Sequence, residues 1–179
     1  MKIVSFATKA LAILLFIMSF NVSALDQGDI DKYVKSIELL KSTDNPVIKS
    51  IEDSLSNNPN FHFDVSDDGS IKMMSQVLGN LEPKQETVLS EFLQKAGYSS
   101  VAKWTDVGDR VSAAMMAVEA ENTDDQFSEI TPEMVQAMPK AMQEQMQGAM
   151  RMFKALKSVP QADIDLVKAN HALLDRVME

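Results

Sequence analysis

The sequence predicts an all-α protein, a compact single-domain bundle of about seven helices with one small hairpin or loop at residues 60–72. Three observations lead there. Apolar residues recur at the three- and four-residue spacing of a helix along most of the chain. Pro46, Pro83, Pro132, Pro139 and Pro160 stand just ahead of such patterns, where a missing N–H costs nothing. Gly79 and Gly97 close two of them, where a left-handed cap is favoured. The chain has no cysteine, so packing and not disulfides must hold it together.

The elements follow in order. Asp26 caps a first helix over Gln27 to Lys41, with Ile30, Tyr33, Val34, Ile37 and Leu40 as its apolar stripe. A second opens at Pro46 and turns Val47, Ile48, Ile51 and Leu55 inward. Phe61, Phe63 and Val65 alternate before Asp68-Gly69, a hairpin signal, although a loop suits the segment equally. A short third helix covers Ile71 to Leu78. Pro83 to Ala96 forms the fourth, burying Val88, Leu89, Phe92 and Leu93. Ser99 caps a long helix through about Ala120, and Thr131-Pro132 opens one short turn. Pro139 opens a methionine-rich helix to about Ser158, and Pro160 opens the last, to about Val177.

Ahead of these lies "MKIVSFATKALAILLFIMSFNVSA". Two lysines, the apolar run Ala10 to Phe20 and the small residues of Val22-Ser23-Ala24 read as a secretory signal cleaved after Ala24. The run is shorter than the roughly 20 residues a spanning helix needs. The expected organisation is residues 1–24 as leader and 25–179 as one helical domain, periplasmic or secreted, without stable membrane insertion after leader removal. Removing two lysines and no acids takes the formal charge from −9 to −11. Such a chain repels phosphate backbones, so nucleic acid is not an expected partner. The lack of cysteine excludes thiol catalysis, thiolate metal sites and redox pairs.

Functional signals are few. Met134, Met138, Met142, Met146 and Met150 recur every fourth residue, followed by Met152. Four residues advance about 400° around a helix, so the sulfurs drift by about 40° per step. With Met142 at the centre, Met146, Ala149 and Phe153 share its face and Lys140, Glu144, Gln147, Arg151 and Lys154 lie opposite. Met142 and Met146 are therefore expected to carry the packing, at about 2–5 kcal/mol each on truncation, and Met150 and Met152 to widen its margins. A wide, soft face suits varied apolar partners; thioether sulfurs also suit Cu(I) or Ag(I).

"DVSDDGSIKMMS", Asp64 to Ser75, resembles the start of an EF-hand loop, but Ser75 stands where a bidentate Glu is needed, and an acidic surface turn is the simpler reading. His62 stands alone between two phenylalanines. His171 and Asp175 are one helical turn apart and read as a helix contact. In "GYSSVAKWTDVGDRVSAAMMAV", Trp104, Val107, Gly108, Val111, Ala114, Met115 and Val118 share one packing face. Gly108 costs roughly 1 kcal/mol against Ala in a helix, so close approach of a second helix should compensate. Asp106, Asp109 and Arg110 are expected outside, with Asp106 and Arg110 as a solvated pair or Arg110 holding an anionic ligand.

The leading expectation is a non-enzymatic binding or protein-interaction module. Met142, Met146, Met150 and Met152 would meet an unknown protein or apolar ligand, and Trp104, Gly108 and Val111 would pack helices. No catalytic set, metal-ligand set or cofactor motif is recognisable. The alternatives are a soft-metal binder through the same sulfurs and a hydrolase of unrecognised type using His171 or Asp67 and Asp68.

Overall fold

Asp26 starts helix α1 (Gln27–Ser42): its carboxylate accepts the Asp29 amide at 2.9 Å while the Asp29 side chain accepts the Asp26 amide. The reciprocal pair satisfies two amides that a helix start leaves orphaned. The structure, a computed structural model, describes residues 24–56, 64–66, 69–121 and 132–178. Among them are eight helices and one two-stranded sheet in one compact all-α domain. None of the helices is long and apolar enough to cross a membrane.

After α1 come α2 (Pro46–Ser56), strands β1 (Asp64–Val65) and β2 (Ile71–Lys72), then α3 (Met74–Leu78) and α4 (Pro83–Gln94). Next are α5 (Val101–Ala120), α6 (Pro132–Gln136), α7 (Lys140–Leu156) and α8 (Gln161–Met178). The strands pair antiparallel, Val65 opposite Ile71, so residues 60–72 do contain a small hairpin. Gly69 turns it with φ +82°, a conformation that suits glycine. Phe61 and Phe63 lie outside the described residues.

Three boundaries differ from expectation. Ile71 and Lys72 belong to β2 and not to the third helix, because the Gly69 turn brings them back onto β1. Ser100, not Ser99, caps α5, accepting the Lys103 amide at 3.2 Å. Gly79 ends α3 with right-handed geometry, whereas Gly97 takes the left-handed φ of +97°.

The main core joins Ile30, Ile48, Ile51, Leu89, Leu93, Trp104, Val111, Val167 and Leu174. Helix α5 runs through its middle, touching α1, α3, α4, α7, α8 and β2. Its central position explains Ser112, Ala113, Ala114 and Ala117, all buried: small side chains let neighbours approach from several sides. Trp104 is fully buried, and its indole N–H donates to Ser36 Oγ at 2.8 Å. Ser36 in turn donates to the Tyr33 carbonyl, so the polar end of the indole is paired inside the core. A smaller cluster of Ile71, Ala113 and Ala155, with Met116, Met152 and Leu156 beside it, ties α7 to the hairpin and α5.

Burial raises the phenol pKa of Tyr33, and the Asp109 carboxylate adds to it. Burial likewise raises that of Tyr98, helped by Tyr33 and Asp29. Each phenol thus ionises less readily folded than unfolded. Its contribution is complete below the ordinary value of about 10 and is lost as pH climbs toward the folded value. The chain has only these two tyrosines. We expect tyrosinate absorbance to rise together with loss of helical circular dichroism in strong alkali. A normal phenol titration of an intact fold would contradict the burial of both rings.

Candidate functional site

Two features stand apart from the core: a cleft along α5 and an exposed methionine face on α6 and α7. The cleft has a volume of about 690 Å3 and runs between the hairpin, α5 and the α7–α8 junction. On α5, Ala102, Thr105, Asp106, Asp109, Arg110 and Ala113 line it, a set separated by steps of one, three or four that shares one side of the helix. Of these, Asp106, Asp109 and Arg110 were expected to face solvent. Asp106 does, whereas Asp109 is buried and Arg110 half-buried, because α5 is central and packed on both flanks.

Asp109 is therefore buried and not exposed. Its carboxylate accepts the backbone amides of Met73 at 2.8 Å and Met74 at 2.6 Å, and the Ser75 hydroxyl also donates to it. It is the N-terminal cap of α3, supplied from another helix because Met73, in the cap position, has no side-chain acceptor of its own. Ser75 is thus engaged inside the protein, far from the role of an EF-hand ligand.

Arg110 does not pair with Asp106. Its guanidinium forks onto Asp163 at the start of α8, with Nε to Oδ2 at 3.0 Å and Nη2 to Oδ2 at 2.7 Å. Asp163 is 1% exposed and also accepts the backbone N–H of Leu25 at 2.8 Å. Asp106 lies 4.0 Å from Lys103 on the exposed side. The expected i,i+4 pair lost to a partner 53 residues away, because burial favours the planar, two-point fit of guanidinium on carboxylate.

Gly108 is buried on the opposite side of α5. A Cβ there would come within 2.0 Å of Met74 Sδ and 3.1 Å of Tyr33 Cε2. The space is filled by the side chains of α1 and α3, not by a second helix backbone. Tyr33 Oη donates to the same Met74 sulfur at 3.7 Å. Val111 is fully buried beside them in the main core.

The methionine ladder sits differently from its helical-wheel reading. Met142, placed at the centre of the buried face, is 51% exposed; Met134 is 51% and Met150 37% exposed. Met146 and Met138 are partly exposed, and Met152, assigned to the margin, packs in the smaller cluster with Ala155 and Leu156. The buried side of α7 is thus centred near Met152, about 80° from Met142. All the α7 residues in that cluster come from its C-terminal end, which is where α5 and the hairpin meet it. Gln143 folds back to donate to the Gln136 and Met138 carbonyls at the end of α6, fixing the α6–α7 corner.

The remaining sequence signals do not converge. His171 Nδ1 lies 2.7 Å from Asp175, both partly exposed on α8. His62, Asp67 and Asp68 lie outside the described residues. Sequence reasoning missed Asp163 entirely and misplaced Asp109. The one available signal was the uncharged run Val111–Val118, which marks a helix buried on most sides. Compared with protein-family models, curated proteins and solved structures, the chain matches none.

Proposed function

We propose that this is a secreted or periplasmic, non-enzymatic interaction protein whose α6–α7 corner seats an apolar, acidic segment of a partner protein. The observation that carries the reading is the exposure of Met134, Met142 and Met150, three of the four large apolar side chains exposed among the described residues, on α6 and α7. Large exposed apolar side chains in a group mark interaction surfaces, and methionine adapts to partners of varied shape. Charge specifies the partner further. Lys140, Arg151 and Lys154 share α7 with the exposed Met142 and Met150, Lys157 follows at its C-terminal cap, and Glu144 is the only acid from residue 140 to 157, in a chain of net charge −9. A basic helix on an acidic protein attracts an acidic partner. The charged groups of the cleft support a structural role: Asp109 caps α3, and Asp163 holds Arg110 and Leu25.

A fluorescent amphipathic helical peptide of leucine and glutamate tests the reading. It should bind, weaken with salt, and bind roughly tenfold less well to the double variant Met142→Gln, Met150→Gln. The melting temperature of that variant should stay close to wild type, since both side chains are exposed. Met152→Ala, by contrast, should cost more stability than Met142→Ala. Equal binding of a leucine–lysine peptide would remove the charge argument. A large rise in melting temperature with Cu(I) under reducing conditions, lost on truncating any single methionine, would favour a soft-metal site instead.

A further inference from the structure

The backbone nitrogen of Leu25 donates to Asp163 Oδ1 at 2.8 Å, inside the protein, with Leu25 6% exposed. This is the same nitrogen that the sequence expects to become the first of the mature chain. We propose that the buried Asp163–Arg110 pair is a dock for the α-ammonium group that leader removal creates at Leu25. The inference rests on the expected cleavage after Ala24 and is independent of the methionine face.

The chemistry balances without a further reactant. Water adds across the Ala24–Leu25 amide; the C–N bond breaks, Ala24 leaves with a carboxylate and Leu25 keeps an ammonium. An amide N–H that donated one neutral hydrogen bond becomes a cation on the same carboxylate oxygen. Hydrogen bonds between charged groups are shorter and about twice as strong as neutral ones. Asp163 then bridges two cations, Arg110 from α5 and the chain start from ahead of α1, and so joins α8 to both. The preceding residue, Ala24, is exposed. The bond to be cut ends at a buried nitrogen, so a peptidase reaches it only before Leu25 has docked. Cleavage therefore precedes completion of the fold, and the fold afterwards gains an ion pair that the precursor lacks.

The test uses residues 25–179, which carry every described helix and strand, in two forms. One begins with a free Leu25, released from a fusion partner; the other carries an acetyl group on the same nitrogen. The acetyl occupies the place where the structure already accommodates the Ala24 carbonyl, and it removes only the charge. The free form should melt about 2–4 °C higher. Its α-amine, ordinarily the most reactive amine near neutral pH because its pKa of about 8 lies below that of lysine, should react with an amine-directed acylating reagent at least roughly tenfold more slowly folded than in urea. Lysines in the same chain serve as the internal control. Asp163→Asn should restore fast α-amine labelling. If that variant does not fold, the acetyl comparison and the labelling of the wild type still decide. Equal melting of the two forms, or equal labelling of the α-amine folded and unfolded, overturns the dock. Intact mass of the exported protein should place Leu25 first; any other first residue overturns it as well, through the cleavage and not through the geometry.

Discussion

Asp163→Ala lowers stability by about 3–5 kcal/mol in urea denaturation, the cost of taking from a partly buried cation the carboxylate it is bonded to. Arg110 is 19% exposed at its side chain and loses its three hydrogen bonds to the Asp163 carboxylate. The Leu25 nitrogen loses its acceptor in the same step. Replacing both charges, Arg110→Met with Asp163→Leu, should recover part of the loss, since apolar pairs of similar volume often substitute well for buried ion pairs. The recovery stays incomplete because Leu25 remains unpaired. A double variant as unstable as the sum of the two single variants would show that the pair is not coupled.

Gly108→Leu is the second large effect. Its Cβ alone would overlap Met74 Sδ, and the Tyr33 ring leaves little room for the thioether to move aside. Helix propensity favours the change by roughly 1 kcal/mol, yet overpacking should outweigh it and leave the protein less stable by about 1–3 kcal/mol. Met74→Ala supplies the check. In that background Gly108→Ala should cost far less than in wild type, because the atom it would strike is gone. A raised melting temperature of Gly108→Leu in the otherwise wild-type chain would show that the notch is not tightly filled.

The residues explain which parts of this could be read from sequence. Pro46, Pro83, Pro160 and Gly97 act through their own backbone and Asp26 through a carboxylate three residues from its partner, so their helix boundaries follow from local chemistry. The stripes of α1 and α4 likewise name the core residues Ile30, Leu40, Leu89 and Leu93. Asp109 and Asp163 escape such reading. On a wheel they look like solvated acids, and only the arrival of α3 at one and of Arg110 with Leu25 at the other makes them internal. The methionine ladder fails for a related reason: its period identifies a helix, but which side of α7 is covered depends on where α5 and the hairpin stand. Met142 and Met152 exchange roles on that account.

The cap that Asp109 lends to α3 ties the timing of two distant segments together. A helix of five residues is far below the length at which helices persist alone in water. Its start is held by a carboxylate 35 residues further along the chain. The α3 turn thus has no lifetime of its own during folding: it condenses when α5 arrives and comes apart when α5 leaves. The same event seats Met74 against Gly108 and Tyr33, so the notch closes as the turn forms. Opening in this region is then an all-or-none excursion of α3 from the long helix, not a gradual fraying of a short helix from its ends.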